Sequence, residues 1–100
     1  MNMQALMQQA QKMQREMQKK QAELEATTFD LTSAGGAIKI KIKGSRQIES
    51  IEIDKDAIDP DEKEMLEDLI KVAVNEAISL VDQAFEQLNN SMTNGMRMPF

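Results

Sequence analysis

Lys39, Lys41 and Lys43 alternate with Ile38, Ile40 and Ile42. On an extended strand the three ammonium groups leave one face about 6.6 Å apart, near the spacing of about 7 Å between successive phosphates of a DNA strand. The same alternation has a structural use, since lysines keep an isoleucine-rich strand from pairing with foreign edges. Earlier in the chain, Lys12, Arg15 and Lys19 fall within about 60° of one another on a helical wheel. They form either a line of phosphate contacts or a solvated face. With Arg46, which follows in a turn, Lys12, Arg15, Lys19, Lys39, Lys41 and Lys43 are the candidates for holding a polyanion, on charge alone.

Other chemistry is poorly supplied. The chain has no His, Cys, Tyr or Trp, so the side chain that titrates near neutral pH, the thiolate nucleophile and the usual zinc ligands are missing. Asp54, Asp56, Asp59 and Asp61 resemble a calcium loop only superficially: Ile58 takes its fifth place, Asp59 the sixth, where glycine is needed, and Met65 the twelfth. Gly35-Gly36 lacks the Gly-Lys-Ser/Thr ending of a phosphate loop, and the five serines have no histidine to activate them. We therefore expect no enzyme, no metal and no cofactor. Three phenylalanines without a cluster on a strand provide no stacking platform for single strands, so nucleic-acid binding would be to a duplex backbone.

Charge is divided unevenly along the 100 residues. Residues 1–46 hold eight basic and four acidic side chains, and residues 47–100 hold four and thirteen, giving +4 and −9. A polyanion site belongs to the first half. One domain is expected at this length, with a core small enough for a dimer interface to supplement it. No apolar run approaches the roughly 18 residues of a membrane span, and the N-terminus lacks the pattern of a signal peptide, so the expectation is a soluble, cytoplasmic protein without a membrane partner.

The elements that must carry these residues follow from periodicity. Met3, Leu6, Met7, Ala10, Met13, Met17 and Leu24 step by three and four, predicting a helix over residues 3–25 with the basic line nearly opposite the apolar stripe. Lys20 interrupts the stripe. Phe29 and Leu31 then alternate with polar residues, Ala34-Gly35-Gly36 marks a reversal with positive φ, and residues 37–43 form a second strand. Ile48, Ile51 and Ile53 form a third, whose change of parity predicts a bulge. Asp59-Pro60-Asp61-Glu62 opens a second long helix, predicted to run to about Leu88, whose apolar residues cover nearly half its circumference. One small sheet cannot cover that arc. The fold class is α+β in the order α-β-β-β-α: a long N-terminal helix, a three-stranded antiparallel sheet and a long C-terminal helix. Residues 1–89 form one domain, and 90–100 are expected to be a flexible tail.

The run Met7–Gln14, Gly35-Gly36, the strand end Lys43-Gly44, Ile51-Glu52-Ile53-Asp54, Glu64–Ile70 followed by Ala73, Asn75 and Ala77, and a tail containing Gly, Met and Pro together resemble the bacterial YbaB/EbfC nucleoid-associated proteins. The resemblance spans almost the whole chain and rests on order and spacing. It implies a homodimer built on paired sheets, with helices projecting like tweezer arms, that binds double-stranded DNA in the nucleoid, alters DNA organisation and affects gene expression, with no small-molecule substrate. The expected dimer surface is Ile38, Ile40, Ile42, Ile51 and Ile53 of the sheet with Leu69, Ala73 and Ala77 of the last helix. A reading from another class is a small chaperone or adaptor that grips client proteins with the Met-rich helix.

Overall fold

The computed structural model describes the backbone of residues 2–95 and the side chains of residues 2–91. The element order is α1 (Met3–Ala26), β1 (Thr28–Ser33), β2 (Ile38–Lys43), β3 (Ile48–Ile53) and α2 (Lys63–Gly95), with short 3-10 turns between. The predicted α-β-β-β-α order stands. Asn2 caps α1, its side chain accepting from the Gln4 amide at 3.0 Å. Thr27 closes the other end, its amide donating to the Leu24 carbonyl and its hydroxyl to the Glu23 carbonyl. Asp59 caps the 3-10 turn Pro60–Glu62 that leads into α2.

The second helix exceeds expectation. It runs through Asn89, Asn90 and Ser91 to Gly95, seven residues past the predicted end at Leu88. Asn, Ser and Thr each disfavour a helix by only about 0.5 kcal/mol, with no new nucleation step needed to extend a helix already formed, and no Pro or Gly intervenes before Gly95. The remainder of the expected tail, residues 96–100, lies outside the described residues.

The sheet has the order β1-β2-β3 with both pairings antiparallel. Between β1 and β2, Ala34, Gly35 and Gly36 all take positive φ. The predicted bulge in β3 is present: Lys41 faces Ser50 but Ile42 faces Ile48, leaving Glu49 as the extra residue. One sheet face packs on α2, where Ile38, Ile40 and Ile42 meet Ala73, Ala77 and Val81, all fully buried. Ala73, Ala77 and Val81 recur every fourth residue, so they line one stripe, and the small alanines let the helix approach the isoleucines. The expected dimer surface is corrected here. Ile38, Ile40, Ile42, Ala73 and Ala77 are spent on the core of a single chain and have no surface to offer a partner. Ile53 and Leu69 are half-buried, and Ile51 is exposed.

The turn between β2 and β3 ties both helices to the sheet. The Gly44 amide donates to the Thr27 carbonyl at 2.9 Å and the Ser45 amide to the Glu25 carbonyl at 3.1 Å, satisfying groups that a helix end leaves open. The approach is so close that a Cβ on Gly44 would lie 1.9 Å from the Leu24 carbonyl oxygen. From that anchor α1 runs alongside the far part of α2: Lys20, Glu23, Leu24 and Thr27 share a groove with Ala84, Gln87, Leu88 and Ser91. Lys20 is thus level with Ser91, and residues before about Met17 pass beyond Gly95, the last described residue of α2. At 1.5 Å per residue this overhang is about 21 Å and α2 about 50 Å, which together account for the longest dimension of 72 Å.

Candidate nucleic-acid interface

Helix α1 holds Lys12, Arg15, Lys19 and Lys20 against the single acid Glu16 in residues 3–22. All four basic side chains are exposed, and among the described residues none has an ion-pair partner. The helix carries no buried residue at all. Lys12, Arg15 and Lys19 keep the face expected of them, along a rod that leaves the body of the molecule. Lys20 was missed as a candidate, although its break in the apolar stripe was the visible signal. It stands about 80° around the helix from Lys12 and widens the basic face toward the root of the arm.

The sheet lysines stand in a different setting. Lys39 and Lys41 point from the outer sheet face, exposed, while Lys43 is half-buried. Their cross-strand neighbours are mixed: Lys39 lies between Thr32 and Glu52, Lys41 between Asp30 and Ser50, and Lys43 opposite Thr28. Directly opposed side chains have Cβ atoms about 4.5–5.5 Å apart, so Asp30 and Glu52 offset the field of the lysines beside them. Glu49 adds a third acid at the end of the sheet, accepting from the Thr28 hydroxyl at 2.8 Å. A strand read alone shows three lysines; the assembled face shows both signs.

Arg46 is not free for a ligand. In a left-handed conformation at φ 71°, it donates from Nη2 to Asp82 Oδ1 on α2, and its guanidinium lies 5.4 Å from the centre of the Phe85 ring. It joins the turn to α2, as Gly44 joins it to α1. The structure therefore separates the seven candidates into an unpaired helical line, a charge-balanced sheet face and an engaged arginine. Gly44 is the residue that sequence reasoning left as a simple turn, and it sets where the basic helix points.

The described residues contain no cluster of three or more acidic side chains placed to hold a metal ion. No helix among them is long and apolar enough to cross a membrane.

Comparison with known proteins identifies the family. The chain is 46% identical to a nucleoid-associated protein of Chloroflexus aurantiacus over 97% of both chains. It is 46% identical to one of Clostridium novyi over 99% of this chain and 87% of that protein. A nucleoid-associated protein of Lactococcus lactis is 41% identical over 96% of this chain and 97% of its own. The fold is shared with the crystal structure of an uncharacterized protein from Helicobacter pylori, with TM-score 0.74 and 19% identity over 93% of this chain and 98% of that one. The family model of the YbaB/EbfC DNA-binding family matches residues 1–96, and the chain belongs to that family.

Proposed function

We propose that the protein is a nucleoid-associated homodimer that binds duplex DNA through phosphate contacts made by α1, and that it alters DNA conformation and thereby gene expression. The observation that carries this reading is the row of unpaired basic side chains on a helix that overhangs the body. Phosphate contacts position a protein without reading sequence, and α1 presents Lys, Arg and Gln with no aromatic side chain. Of the thirteen acidic residues of the second half, seven lie on β3 and the turns that follow it and six on α2, none of them later than Glu86, so the negative field is concentrated away from the N-terminal part of α1.

Dimerisation draws support from what one chain leaves uncovered. Helix α2 lies over β1 and β2 and reaches only the margin of β3. Ile48 and Ile51 on β3 remain 37% and 41% exposed, and Ile78 of α2 36%. The unpaired edge of β3 beside these side chains is a surface that a second protomer would cover.

The test is duplex binding by fluorescence anisotropy in low salt. Changing Lys12, Arg15 and Lys19 together to Gln should weaken binding on the order of a hundredfold, while Lys39→Gln with Lys41→Gln should change it by less than about threefold. A larger loss from the sheet variant than from the α1 variant would move the site from α1 to the sheet.

A further inference from the structure

The apolar stripe of α1 is longer than the neighbour that covers it. Near the root, Leu24 enters the groove against Ala84 and Leu88, and Met13 and Met17 are half-buried. Toward the N-terminus the same stripe continues as Met3, Leu6, Met7 and Ala10, with Met3 75%, Leu6 45% and Met7 61% exposed. At 100° per residue its centre lies about 160° around the helix from the centre of Lys12, Arg15 and Lys19. A duplex on the basic face therefore cannot cover it. Methionine and leucine at helical spacing call for another apolar helix surface, and α1 of another copy carries the same one.

We infer that the α1 overhang of a second copy packs against this stripe, so that paired arms turn their basic lines outward on opposite sides and hold two duplexes at once. The inference rests on the DNA-binding reading above for its second half only. The contact is isologous, the same patch serving both copies. An overhang of about 21 Å is too short to bury the roughly 1,200 Å² of an independent stable interface. The arms would therefore pair chiefly among copies already concentrated by the dimer contact or by DNA.

The chain contains no cysteine, so a single introduced thiol reports on one position at a time. Met3→Cys, Leu6→Cys, Met7→Cys and Ala10→Cys are compared under mild oxidation with Lys12→Cys and Arg15→Cys. A disulfide needs Cα atoms within about 7 Å, so at least one stripe position should cross-link two copies ten times faster or more than either position on the basic face. Equal rates on the two faces would overturn the arm contact. A bead-bound duplex then captures protein and, through it, a second labelled duplex. Changing Met3, Leu6 and Met7 together to Gln, which keeps helix propensity, should leave affinity for one duplex within twofold and reduce capture of the second at least tenfold. Unchanged capture would overturn the bridging. If the unaltered protein binds no duplex, the DNA reading and the bridging both fail, while the cysteine comparison still decides the arm contact.

Discussion

Arg46 and Asp82 form an ion pair whose side chains are about half exposed, at 49% and 53%, so solvent screens most of its Coulomb energy. A double-mutant cycle with Arg46→Gln and Asp82→Asn, followed by urea unfolding, should return a coupling of about 0.2–1 kcal/mol. Because the guanidinium already serves α2, Arg46→Gln should leave duplex affinity within about twofold; a loss as large as that from α1 would make it a DNA contact after all. Ile40 gives the opposite extreme. It is 1% exposed among Ile38, Ile42 and the α2 alanines, and Ile40→Ala should destabilise the chain by about 2–5 kcal/mol, measured by denaturant unfolding. The alternation of residues 38–43 made the apolar face legible. Whether that face met its own helix or a partner's depended on Ala73, Ala77 and Val81 lying on one stripe, and the expectation assigned it to the wrong surface.

The four residues Lys43 to Arg46 show what local pattern misses at the level of elements. Gly44 marked a turn in the sequence, but its amide bond to Thr27 and its contact with the Leu24 carbonyl join segments seventeen or more residues apart, beyond any periodicity. Gly44→Ala should force the α1 root away from the turn and lower stability by roughly 1–3 kcal/mol, read as a lower thermal midpoint by circular dichroism. An unchanged midpoint would mean that the root yields freely. Where the determinants were local, the elements were legible: the Ala34–Gly36 reversal, the bulge at Glu49 and the capped turn at Asp59 that leads into α2 each follow from side chains within a few residues. The end of α2 was misjudged for a related reason, since weak helix formers stop a helix only when nothing continues it.

The molecule as a whole is a rod, with a radius of gyration of 20.0 Å against about 13 Å for a compact chain of this length. Such a shape has a small core, and the exposed isoleucines of β3 adjoin it. If a second copy covers them, folding and association are linked, and dilution over a hundredfold should lower the apparent melting temperature. A concentration-independent transition would describe a self-sufficient monomer. A net charge of −5 does not favour a polyanion for the chain as a whole, but the charge is separated along it, with the basic helix at one end. The central claim is that this arm binds duplex backbone, and its most direct test is the salt dependence of binding to two unrelated duplexes, for the unaltered protein and for the variant with Lys12, Arg15 and Lys19 changed to Gln. The account predicts the same steep slope of log affinity against log salt on both duplexes, reduced by about 2.7 in the variant, or about 0.9 per lost phosphate contact. A shallow slope, or one that the three substitutions leave unchanged, would contradict it.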